Sequence, residues 1–98
     1  MSKVQFLQEA IDDIESARKW YRERSARATD RFETALKVAI KRIQENPDGY
    51  AKYDEVLRCY DLQKYPYGII YYHAHKTIVI FAVAHASRDW SFLQDRDY

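Results

Sequence analysis

Residues 65–85 read YPYGIIYYHAHKTIVIFAVAH, and this stretch decides the fold. Tyr65-Pro66-Tyr67-Gly68 has the chemistry of a turn. Gly68 to His73 follows as a strand, rich in the aromatic and β-branched residues that suit a pleated surface. Ala74-His75-Lys76 is a short polar connection. Thr77 to His85 is the next strand, and it is almost wholly apolar. A strand without a polar face is expected at the centre of a sheet, covered on both sides. Upstream, Val56 to Leu62 reads as one more strand. Consecutive strands joined by such short connections pair antiparallel.

Working back towards the N-terminus, the period changes from two to about three and a half. Ala28, Phe32, Ala35, Leu36, Ala39, Ile40 and Ile43 form the apolar stripe of a helix. Ser25 is its expected N-cap. Asn46-Pro47-Asp48-Gly49 ends it near Glu45, because Pro47 disfavours helical geometry at Asn46. Before Ser25, Leu7, Ala10, Ile11, Ile14, Ala17 and Tyr21 mark a first helix running to about Arg24. Acids early and bases late in that helix suit its dipole, and Glu15 and Lys19 are spaced for an i,i+4 pair. The short break between the helices makes them an antiparallel hairpin. Lys3 to Phe6 alternates as a short strand, expected at or near a sheet edge. The order is β-αα-βββ. The expectation is an α+β domain spanning residues 1–98, with a helical hairpin packed on a small antiparallel sheet.

Composition narrows the function classes. The 98 residues include only 2 Gly and 2 Pro, which excludes low-complexity and disordered classes. Sixteen Lys and Arg against fifteen Asp and Glu leave a formal charge of +1, so net charge points neither to nucleic acid nor to a membrane surface. The single Cys59 excludes an internal disulfide and a cysteine-based zinc site, and fits a reducing, cytoplasmic compartment. The longest apolar run, Ile78 to Ala84, is far short of the roughly 20 residues that span a bilayer. Tyrosine is over-represented, with 9 in the chain. Tyr50, Tyr53, Tyr60, Tyr65, Tyr67, Tyr71 and Tyr72 cluster, either as the half-buried face of a sheet or as a recognition surface.

The chemistry-bearing residues are few. No glycine-rich phosphate cradle and no nucleophile elbow is present, and no cofactor is expected. His73, His75 and His85 read as surface residues of a hairpin, since nothing around them supplies the outer-shell carboxylates of a metal centre. Glu9, Asp12 and Asp13 read as a solvated helix face. If their strands are adjacent, Arg58, His85 and Arg88 could meet on the sheet, where two guanidiniums and an imidazole suit phosphate binding and proton transfer. The competing reading is that Arg88 and Asp89 fix the chain by a salt bridge or a cap as it leaves the sheet. Trp90, Phe92 and Leu93 stand in an otherwise polar tail, either as a packed flap or as a docking element.

Order and spacing together resemble the RelE/ParE superfamily of bacterial toxins, in its ParE-like plasmid-stabilisation branch. The resemblance is carried by Glu9-Ala10-Ile11-Asp12-Asp13-Ile14 with Trp20-Tyr21 and Glu23-Arg24-Ser25, by Arg31-Phe32 with Ala35-Leu36, and by Ile43-Gln44-Glu45-Asn46-Pro47. Its strongest pieces are Tyr65-Pro66-Tyr67-Gly68-Ile69-Ile70-Tyr71-Tyr72 and Val83-Ala84-His85-Ala86-Ser87-Arg88-Asp89.

The resemblance implies the toxin half of a type II toxin–antitoxin pair, neutralised by a cognate antitoxin and touching DNA only through that complex. ParE-like members are associated with DNA gyrase, and RelE-like relatives cut mRNA on the ribosome. RelE-type nucleases carry an Arg at the position of Gly68, and a C-terminal Tyr near Gln94; Tyr98 could replace it only after a register slip. Arg88 matches the second functional Arg of that branch. With two groups absent, a gyrase inhibitor that binds its target and has no catalytic residues is expected. The alternatives are a metal-free mRNA endonuclease using Arg58, His85 and Arg88, or a non-toxic interaction protein. Target contact is expected at Arg58, Arg88, Trp90 and Phe92, and antitoxin contact at Trp20, Tyr21 and Tyr71.

Overall fold

The structure, a computed structural model, describes residues 2–96, so Tyr98 lies outside the described residues. The elements are β1 (Lys3–Phe6), α1 (Gln8–Arg22), α2 (Ala26–Glu45), β2 (Arg58–Asp61), β3 (Tyr67–Ala74), β4 (Thr77–His85) and a 3-10 helix (Trp90–Asp95). The four strands form one sheet in the order β1-β4-β3-β2. The α+β architecture and the element order follow the sequence reading. The sheet is mixed, however, because β1 pairs parallel with β4. Short connections force β2, β3 and β4 to alternate, whereas β1 meets a strand far along the chain, and no turn dictates its direction.

Ser25 caps α2 as expected, its hydroxyl accepting from the Ala28 N–H at 2.9 Å. The expected strand from Val56 is shorter. The Asp54 carboxylate accepts from the N–H groups of Val56 and Leu57, at 2.8 and 2.6 Å, and holds both in a turn before β2 begins. The β3–β4 connection is reduced to His75 and Lys76, with φ of 52° and 62°. Two consecutive left-handed residues give a hairpin turn whose twist matches that of the strands. Glu15 pairs with Arg18 and Arg22 and not with Lys19, and both guanidiniums hold its carboxyl below the usual range.

The hairpin buries Ala10, Ile14 and Ala17 of α1 and Phe32, Leu36, Ala39 and Ile43 of α2. These meet Tyr60, Leu62, Ile69, Tyr71, Ile78, Ile80 and Val83 on one face of the sheet. The other face carries Leu57, Ile70, Phe81, Ala82 and Ala84, and the C-terminal segment covers it with Leu93, Trp90 and Phe92. Central β4 is therefore buried on both faces, as its apolar run requires.

A bulge divides β4 between these layers. Ile70 pairs with Ala82 and Tyr71 with Ile80, so Phe81 is an extra residue. Phe81 and Ala82 both fall in the cluster beneath the C-terminal segment, while Ile80 and Val83 stay under the helices.

Phe32 lies at the centre of the first layer, stacked on Tyr21 at 4.8 Å and flanked by Tyr65 and Tyr67. Phe32→Ala is expected to cost about 3–5 kcal/mol, the range for a large aromatic removed from a core. Urea unfolding should show a lower midpoint at an unchanged slope; a loss below about 1 kcal/mol would mean that the ring cluster refills the space.

Candidate functional site

Two surfaces bring together the residues singled out in the sequence. The first follows β4. His85 ends the strand, opposite Tyr67, and the rings meet edge to face at 5.1 Å. The Ser87 backbone N–H donates to His85 Nδ1 at 3.1 Å, and the Ser87 hydroxyl lies 2.7 Å from the same nitrogen. Because a backbone N–H can only donate, Nδ1 is an acceptor, and neutral His85 carries its proton on Nε2. Asp89 is a cap, as one of the two readings had it, accepting from the Ser91 N–H at 3.0 Å. Arg88 stacks on Phe92, its guanidinium carbon 3.6 Å from the ring centroid. The Trp90 indole N–H donates to the His85 carbonyl at 3.0 Å. The aromatic tail is therefore folded against the sheet, and it still presents Arg88 on an exposed turn with half-buried Trp90 and Phe92 beside it.

Arg58 does not join this group. The strands carrying Arg58 and His85 are separated by β3, and Arg58 pairs with Tyr71, four positions along β3 from the Tyr67 that faces His85. That offset places the two residues on the order of 15 Å apart. Arg58 instead donates to the Tyr50 carbonyl at 2.8 Å and holds the loop before β2.

Gly68 explains why this end of the sheet is closed. A Cβ there would stand 2.9 Å from Cys59 Sγ and 3.2 Å from the Trp90 ring. The position where the RelE branch carries an arginine is roofed by Trp90. Burial and the Asp61 carboxylate push the Cys59 thiol up to about 12 from its ordinary 9.0, so it is a neutral packing group here.

The three histidines do not converge. His73 lies against Asp48 and Ser2 at the end of the sheet where the β3–β4 turn carries His75, and His85 lies at the opposite end.

The second surface is a groove of about 760 Å³ between α2 and the segment that follows β2. Its floor is Ala35, Val38, Leu62 and Tyr65, and its rim carries Arg27, Arg31, Arg42 and Lys64 against Asp30. Tyr65 continues it to Tyr21, at 5.7 Å between ring centroids, and Tyr21 to Trp20, at 4.9 Å. Trp20 is 48% exposed, with the Arg24 guanidinium over its ring. Tyr71 does not belong to this surface. It is fully buried, and its hydroxyl donates to the Pro47 carbonyl at 2.7 Å, because β3 is an inner strand and that face lies under the helices.

Asp13 is the main correction to the sequence reading. Glu9 and Asp12 are exposed, but the Asp13 side chain retains 10% of its accessible surface. It accepts from both terminal nitrogens of Arg96, at 2.8 and 2.9 Å, and from the Val83 N–H at 3.0 Å. The signal was in the helix arithmetic: position 13 follows Ala10 by three and precedes Ala17 by four, on the buried stripe itself. Val38 of the groove was equally legible as an apolar residue off the stripe. Three of the cations around it, Arg27, Arg31 and Arg42, share α2 with it, and folding adds Lys64 from the segment after β2.

Comparison with known proteins assigns the class. A family model described as the ParE toxin of the type II toxin–antitoxin system, parDE, matches residues 4–90. The chain belongs to this ParE toxin family. Among solved structures it is similar to the "Chromosomal ParDE TA system from P. aeruginosa", with a TM-score of 0.77 and 16% identity, over 89% of this chain and 98% of that one. No individually curated protein matches it significantly. At that identity the structural likeness carries the fold. No helix among the described residues is long and apolar enough to cross a membrane.

Gly68→Ala is expected to destabilise the chain by about 1–3 kcal/mol through overpacking. Cys59→Ala in the same chain should recover part of that loss, because it removes the nearer contact. Simple addition of the two single effects in denaturant titrations would refute the steric account.

Stability should also fall in alkali. Burial raises Tyr71 from 10.0 to about 12, as it raises Cys59. The unfolded chain therefore releases these protons first. Their contribution is intact below about pH 9 and declines as pH rises towards 12. Thermal unfolding between about pH 8 and 11 should show the drop, and Tyr71→Phe should flatten it.

Proposed function

We propose that this chain arrests growth by binding a topoisomerase such as DNA gyrase, and that a cognate antitoxin silences it by covering the groove beside α2. The observation that carries the reading is the closed position at Gly68. Cutting RNA at a phosphate requires acid, base and cation within reach of one site. Here Trp90 fills the space over Gly68, and Arg58, on the edge strand β2, is held to the Tyr50 carbonyl, on the order of 15 Å from His85. What remains at the surface is Arg88 with Trp90 and Phe92, an arginine and two aromatics of the kind that anchor protein interfaces. The target surface is therefore assigned to Arg88, Trp90 and Phe92.

The antitoxin surface is assigned to Trp20, Tyr21 and the groove. Four cations facing one acid around an apolar floor suit an amphipathic segment with carboxylates along one side. Contact with DNA then comes through the antitoxin complex, in keeping with a net charge of +1. The cytoplasm is the compartment this reading assigns, since gyrase works there.

Purified chain should inhibit supercoiling by gyrase, and its expression should stop growth without cleaving mRNA. Ribosome-dependent mRNA cleavage with gyrase untouched would overturn the reading in favour of a nuclease, and normal growth with neither effect would leave a non-toxic interaction protein. Arg31→Glu with Arg42→Glu should weaken antitoxin binding at least about tenfold while gyrase inhibition persists.

A further inference from the structure

The clasp between α1 and the C-terminal segment has a consequence for the target surface. Arg96 donates to the Asp13 carboxylate through two nitrogens and to the Phe81 carbonyl at 3.1 Å. Its guanidinium carbon lies 4.7 Å from the Phe92 ring centroid, and the Arg88 guanidinium lies 3.6 Å from the same centroid. Phe92 is thus in contact with two cations, and among the described residues only Arg96 of the two is paired with a carboxylate. The segment between them is a 3-10 helix, Trp90–Asp95, a form that is rarely stable in isolation. Asp89 caps its start, Leu93 plugs the sheet, and Arg96 fixes its end.

We infer that Asp13 is a positioning residue for the target-binding surface: through Arg96 it holds Phe92, and through Phe92 it sets Arg88. The inference rests on the reading that Arg88, Trp90 and Phe92 meet the target. Without the clasp the segment lacks its fixed end, and the target must order it on binding, at a cost in affinity. The groove lined by α2 gains nothing from the clasp, so antitoxin binding is independent of it.

The test measures gyrase inhibition and antitoxin affinity side by side for Asp13→Asn, Arg96→Ala and the double variant, with hydrogen exchange reporting order in residues 90–96. Each single change should raise the half-inhibitory concentration at least about tenfold, and the double should do no worse than either single, as expected for two ends of one contact. Antitoxin affinity should change less than about threefold, exchange in the segment should accelerate, and Asp13→Glu should restore part of the inhibition. If Asp13→Asn does not fold, Arg96→Ala carries the same comparison. Equal losses of inhibition and antitoxin affinity would reduce the clasp to general stability and overturn the inference. Unchanged inhibition in both single variants, while Phe92→Ala abolishes it, would overturn the inference alone. Unchanged inhibition in Phe92→Ala and Trp90→Ala would overturn the underlying assignment of the target surface as well.

Discussion

Strand β4 runs for nine residues, but its neighbour β1 accompanies it only from Thr77 to Ile80. Leu7 then donates to the Ile80 carbonyl and the chain turns into α1. Beyond that point the outer edge of the central strand has backbone polar groups that need partners in a mostly dry setting. The Asp13 carboxylate takes the Val83 N–H, and the Arg96 guanidinium serves the Phe81 carbonyl. The two side chains then bind each other. One ion pair thereby completes the edge of the sheet and joins the helix above it to the segment below it. Little surrounding water competes for these charges, so removing one partner would strand the other.

The bulge in β4 belongs to the same solution. An extra residue at Phe81 lets the strand give two consecutive side chains to the lower layer. A small domain with helices on one face alone would leave Ile70, Phe81 and Ala82 in water. Residues 90–96 cover them at the cost of only a few residues, and Trp90 and Phe92 of that cover stand beside the exposed Arg88. Packing and recognition thus use the same segment, so flap and docking element describe two sides of one object.

Much of this was legible along the chain. Helix limits, the Ser25 cap, β1, β4 and the exposure of Trp20 all follow from local rules: period, capping and turn chemistry act within a few residues. Local rules also have limits. They extended β2 to Val56, because the alternation of side chains does not reveal the Asp54 carboxylate that holds the preceding N–H groups. They placed Tyr71 at a surface, because tyrosine suits half-buried and fully buried strand positions alike.

The element order, the hairpin of helices and the two-sided burial of β4 are all written in the amino-acid pattern, since each shows in the residue types of one short stretch. Tertiary structure alone decided which strands neighbour each other, and so separated Arg58 from His85 and Arg88. It alone set β1 parallel to β4, brought Leu62, Lys64 and Tyr65 against the α2 face that carries Arg27, Arg31 and Arg42, and turned Asp13 from a solvated acid into the partner of Arg96. The physical reason is that charge pairing and strand adjacency act through space, over a few ångströms, between residues as far apart in the chain as positions 13 and 96.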